Sequence, residues 1–93
     1  MIKSFADRET RVFWESGQSR RLPANLRQVA KRKLAALDAA VRLSDLASPP
    51  GNHLEALRGD RAGQHSIRIN QRYRVCFVWR AADAQEVEIV DYH

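Results

Sequence analysis

The chain has a single cysteine, Cys76, among 93 residues. One thiol cannot form an internal disulfide, which excludes a stapled secreted scaffold and fits a reducing cytoplasm. Glycine is scarce as well, with four in the chain, and they form neither a Walker A nor a dinucleotide-binding pattern. No apolar run approaches the ~20 residues of a membrane span, and Met1-Ile2-Lys3-Ser4-Phe5 lacks the hydrophobic region of a secretory signal. Three scattered histidines and one cysteine give no zinc-ligand spacing. Neither a metal, nor a cofactor, nor a membrane partner is expected. Repeats, low-complexity tracts and interdomain linkers are absent too, so residues 1–93 are expected to form one domain with a modest core.

Acidic charge is short and unevenly placed. The net charge is +5. Between Arg20 and Lys33 stand six cations and no acid, and between Arg58 and Arg80 six arginines accompany Asp60 alone. From Ala81 onward there are four acids and no Lys or Arg. Arginine dominates the cations, and its planar fork matches phosphate, so the bias favours a nucleic-acid partner. The stretch from Arg20 to Lys33 is either a solvated helix face or a docking surface for a polyanion.

The pattern along the chain is helical first and period-two later. Residues 2–5 read as a short strand. Asp7 is placed to cap a helix carrying Val12, Phe13 and Trp14, with Gly17 as its stop. Pro23 suits the first turn of a longer helix whose apolar positions Leu26, Val29, Ala30, Leu34, Leu37, Ala40 and Val41 share one face. That helix is predicted to run to about Val41, with Ser44-Asp45 capping one further turn, before Ser48-Pro49-Pro50-Gly51 ends helical structure. Candidate strands follow at 53–58, 65–70, 73–80 and 86–92, with 81–85 joining the last two. The expected fold class is α+β: β-α-α-β-β-β-β, an antiparallel meander with two helices packed on one face and the other face open.

Register sharpens this expectation. Ile67 and Ile69 share a core face with Tyr73, Val75, Phe77 and Trp79 only if a three-residue loop, Asn70-Gln71-Arg72, joins the strands. Asn70 tolerates the positive φ that such a loop often uses. Ile67 then opposes Val75, and Arg68 opposes Arg74 on the open face. Directly opposed like charges destabilise a sheet, so either Glu86 or Glu88 neutralises the pair or an anionic ligand does.

The last residues, Asp91-Tyr92-His93, handle protons and follow a patterned strand directly. With the arginines they make the set that RNA cleavage needs. A base takes the proton of an attacking 2′-hydroxyl, cations stabilise the charged phosphorane, and an acid protonates the leaving oxygen. Imidazole works near neutral pH, Asp91 orients a histidine or holds an arginine, and Tyr92 stacks on a base or donates to phosphate. His53 enters the sheet after the Pro-Pro-Gly-Asn turn, and Arg72 in the hairpin loop is within reach of phosphate. His65 has the opposite parity to Arg68 and reads as structural or solvent-facing. Cys76, Trp14, Trp79, Phe13 and Phe77 read as core. The expectation is that the arginines of the two middle strands and the last three side chains share one open hollow.

Pro-Pro-Gly-Asn (49–52), Leu-Glu-Ala-Leu-Arg-Gly-Asp-Arg (54–61), Gly-Gln-His-Ser-Ile-Arg-Ile-Asn (63–70), Tyr-Arg-Val-Cys-Phe-Val-Trp (73–79) and the terminal Val-Glu-Ile-Val-Asp-Tyr-His resemble the HigB group of the RelE/ParE toxin superfamily. The resemblance extends to the opening Ile-Lys-Ser-Phe and to residues 32–40. It implies a RelE-like fold and the toxin of a bacterial type II toxin–antitoxin system. Such a toxin cleaves mRNA on the translating ribosome without a metal and is neutralised by a HigA-like helix-turn-helix antitoxin, through which the complex binds operator DNA. It also implies catalytic roles for His93, Asp91, Tyr92 and His53, with phosphate contacts from Arg58 and Arg74, to which the register adds Arg68 and Arg72. Arg58 stands where lysine is common in that family, and His53 where arginine is frequent. A different class of function stays open: ParE-like relatives inhibit DNA gyrase without cutting RNA.

Overall fold

The computed structural model describes residues 1–92, and His93 lies outside them. Two helices, α1 (Arg8–Ser16) and α2 (Arg27–Ala39), precede four strands: β1 (Glu55–Ala56), β2 (His65–Arg68), β3 (Tyr73–Arg80) and β4 (Asp83–Asp91). The strands form one sheet in the order β1-β2-β3-β4, antiparallel throughout. The helices cover one face, and Phe13, Leu34, Leu37, Ile67, Val75, Phe77 and Val87 are all at most 2% exposed between the layers. Among the described residues, no helix is long and apolar enough to cross a membrane.

Several elements depart from the pattern, each for a local reason. The expected first strand is reduced to two isolated parallel bridges, Ile2 to Ala84 and Phe5 to Val87. Asp7 occupies the N-cap of α1, but its carboxylate pairs with Arg21 at 2.6 Å and makes no capping bond. Gly17 closes the helix at φ 77°, the left-handed conformation that glycine adopts freely. Pro23 precedes a 3-10 turn, Ala24–Leu26, and α2 starts only at Arg27. α2 also stops short of Val41, which is 69% exposed. Asp45 takes the N–H groups of Val41 and Arg42, both at 3.0 Å, and so starts a separate turn, Leu43–Ala47, from its third position. Asp45 thus caps that turn, as expected, from a position within it.

The β2–β3 register is as expected, with Ile67 opposite Val75 and Arg68 opposite Arg74. The loop does not use a positive φ at Asn70. Instead Asn70 Oδ1 accepts from the N–H groups of Arg72 and Tyr73, at 2.9 and 2.7 Å, an Asx turn. β4 is longer than predicted. It begins at Asp83, after a tight turn in which Ala81 and Ala82 both have positive φ. A bulge at Glu86, φ 50°, then shifts the pairing between Cys76 and Val78. The extra residue lets Ala84 and Val87 both face the core despite their opposite parity.

Candidate functional site

The sheet face left uncovered by the helices is built in rows. Glu55, Ser66, Cys76 and Glu88 stand directly across from one another on the four strands. The next row is Arg68, Arg74 and Val90. Side chains two apart on a strand share a face, so both rows lie on the same side as Tyr92. The Tyr92 hydroxyl is 3.9 Å from Cys76 Sγ.

Arg74 is the most enclosed cation on this face, with 11% of its side chain exposed. Its Nε donates to Ser66 Oγ at 2.7 Å and its Nη2 to the His53 carbonyl at 2.6 Å, with Glu55 at 3.2 Å. Arg68 Nε donates to the Asn70 carbonyl at 3.1 Å, and its Nη1 lies 3.4 Å from His53 Nε2. The opposed arginines thus take different Nε partners and share His53 at their Nη ends. The carboxylate near the pair is Glu55, not Glu86 or Glu88. Glu88 instead holds Arg61, whose Nη1 donates to it at 2.7 Å and to Gln64 Oε1 at 3.0 Å. The hydrogen bond to Glu88 raises the Arg61 pKa. Burial pushes the Cys76 thiol and the Tyr92 phenol above their ordinary values.

Arg61 is the residue that sequence reasoning missed. Its signal was the Glu88 parity, which puts a carboxylate on the arginine face, but the pair spans 27 positions and a bulged strand.

Arg72 and Asp91 do not join this face. Asp91 lies opposite Tyr73, and Arg72 grips it with both Nε and Nη2, at 2.7 and 2.8 Å. Asp91 raises the Arg72 pKa. The two line a cavity of about 300 Å³ with Thr10, Phe13, Leu22 and Tyr73, on the helix side of the sheet. The expected single hollow is therefore divided, because adjacent residues of an extended strand point to opposite faces. Tyr92 is on the arginine side, Asp91 is not, and His93 is outside the described residues. Arg58 is exposed where the chain leaves β1. His65 stacks on Phe77 at a centroid distance of 6.3 Å, on the core side.

The chain and its fold have counterparts among known proteins. A family model described as "RelE-like toxin of type II toxin-antitoxin system HigB" matches residues 3–93. The chain belongs to the HigB family of RelE-like toxins. Within that family, Toxin HigB-1 of Vibrio cholerae is 42% identical over 80 residues, 85% of this chain and 84% of its own length. Endoribonuclease HigB of Proteus vulgaris is 31% identical over 93 residues, the full length of both. Among solved structures, the YoeB-YefM complex from Staphylococcus aureus aligns over 100% of this chain and 98% of its own, with a TM-score of 0.63 at 14% identity. That likeness shows the RelE-like fold.

Proposed function

We propose that residues 1–93 act as one toxin domain, a ribosome-dependent mRNA endoribonuclease that inhibits translation. A HigA-like helix-turn-helix antitoxin neutralises it, and the toxin–antitoxin complex binds operator DNA through that antitoxin. The observation that carries the proposal is the uncovered sheet face, where the charges of Arg61 and Arg74 act on the Tyr92 phenol and Arg68 stands opposite Arg74. The kinship with Endoribonuclease HigB supports the chemistry, and the fold shared with a toxin from the YoeB-YefM complex supports an antitoxin partner.

In this mechanism a base takes the proton of the 2′-hydroxyl, which attacks the adjacent phosphate. The bond from phosphorus to the 5′-oxygen breaks as an acid protonates that oxygen, leaving a 2′,3′-cyclic phosphate and a 5′-hydroxyl end. Arg68 and Arg74, with Arg58 at the rim, stabilise the charge that builds on the phosphorane. Arg61 joins them when a phosphate displaces Glu88. Tyr92 stacks on a base, its hydroxyl staying protonated at neutral pH. His93 is the first choice for proton transfer, with His53 beside the arginines. Asp91 acts through Arg72, holding the end of β4 so that Tyr92 meets the open face. The chain's own acid–base groups and guanidinium charges supply every step, with no metal.

The test is expression without antitoxin, with mRNA ends mapped on translating ribosomes. Codon-phased ends that vanish in a Tyr92→Ala, His93→Ala variant are expected. Inhibition of gyrase supercoiling with intact mRNA would instead assign the chain the ParE-like activity.

A further inference from the structure

A buried amide ties α2 to the loop that carries His53. Asn52 is 1% exposed. Its Oδ1 accepts from Lys33 Nζ on α2. Its Nδ2 donates to the carbonyls of Leu46 and Ser48, at 3.1 and 3.3 Å. Three hydrogen bonds engage both N–H donors and the oxygen of this side chain, all to parts of the chain that hold no residue of the open face. The next residue, His53, takes the left-handed conformation, φ 45° and ψ 54°, uncommon outside glycine. That turn aims the His53 carbonyl at Arg74, 2.6 Å away, and leaves the ring near Arg68.

We propose that Asn52, anchored by Lys33, is a positioning residue of the basic face: it fixes the left-handed turn at His53 and, through the His53 carbonyl, sets where the Arg74 guanidinium stands. The proposal rests on reading that face as the RNA site. Neither Asn52 nor Lys33 touches the substrate. Burial also lowers the Lys33 pKa, consistent with an amine committed to an internal partner.

The experiment compares the full chain with Asn52→Ala, Lys33→Met and Lys33→Arg on mRNA-programmed ribosomes, at a temperature where circular dichroism shows each to be folded. Misplacing a reacting group by a fraction of an ångström to an ångström lowers turnover steeply. Asn52→Ala is expected to lose about 10- to 100-fold in kcat, with KM for ribosomes within about 3-fold of wild type. Lys33→Met keeps the two carbonyl bonds and should lose less, and Lys33→Arg should restore wild-type turnover. Lys33→Met also carries the test should Asn52→Ala fail to fold. In parallel, the Arg74 Nη2–H resonance, whose partner is the His53 carbonyl, should be shifted and exchange faster in Asn52→Ala and Lys33→Met. Folded variants with wild-type kcat, or losses that track only the unfolded fraction, overturn the proposal. If wild-type protein leaves mRNA intact, the RNA reading of the face fails. The Arg74 resonance then decides the positioning claim alone, and an unchanged resonance overturns it.

Discussion

Arg68 and Arg74 face one another across β2 and β3, and their Nε atoms take different partners, the Asn70 carbonyl and the Ser66 hydroxyl. His53 touches both guanidinium groups, through its ring and its carbonyl. Directly opposed like charges on a sheet repel, and His53 stands as a shared partner to the pair.

The two arginines should therefore respond differently to substitution. Arg68→Ala removes a partly exposed side chain and is expected to leave thermal stability almost unchanged. Arg74→Ala strands the hydroxyl of Ser66, a residue that is 0% exposed, and should destabilise the fold by about 1–3 kcal/mol in urea titrations. Both should reduce cleavage on ribosomes, by about 10²- to 10³-fold if each guanidinium meets the developing phosphorane charge. Arg68→Ala with normal cleavage and a collapsed melting temperature would make that residue a structural one.

The Arg72–Asp91 pair makes a second, sharper claim. If Asp91 serves by holding Arg72, and so the end of β4, removing either side chain removes the same support. Asp91→Ala, Arg72→Ala and the double variant should then show similar cleavage defects, a strongly non-additive cycle. Multiplying defects, with Asp91→Ala the more severe, would instead place the Asp91 carboxylate against the RNA.

How far the site was legible follows from which rule each part obeys. Strict period-two alternation at residues 65–69 and 73–79 yields the strand pairing and the opposition of Arg68 and Arg74, because a slip of one residue would expose Ile67 and Val75. The Ala81-Ala82 turn was hidden, since alanine carries none of the Asn-Gly signal of such hairpins. The unmarked bulge at Glu86 moved the start of β4 and obscured how Glu88 meets Arg61. Asp91-Tyr92-His93 looked like one unit in sequence, but an extended strand divides neighbours between faces, and Asp91 went to the helix side.

Asp45 gives a pH prediction on stability. Its carboxyl pKa is lowered chiefly by the N–H of Arg42 and next by that of Val41. A depressed folded pKa means stability that is present above the unfolded value of about 3.9 and is lost as pH falls through the folded pKa. Asp45→Asn should melt earlier than wild type at pH 7, and the gap should close in the acid range below about pH 4. A gap that persists unchanged at low pH would mean that the anion contributes nothing beyond what the amide supplies.

Tyr92 covers Cys76, and this contact separates the two ways the tyrosine can act. The thiol is 0% exposed, and burial holds its pKa, like that of the phenol, above the ordinary value. Both groups stay protonated at neutral pH, so Cys76 should react with iodoacetamide slowly in native protein and rapidly in urea. Tyr92→Phe keeps the ring and removes the hydroxyl that stands 3.9 Å from Cys76 Sγ. If stacking is the contribution, that variant retains most cleavage. Tyr92→Ala should uncover the thiol and weaken RNA binding by about 1–3 kcal/mol, the usual worth of a base on an aromatic ring. If Tyr92→Phe were as inactive as Tyr92→Ala while its thiol stayed protected, the hydroxyl itself would be the working group. Tyr92 would then belong with the proton donors of the site.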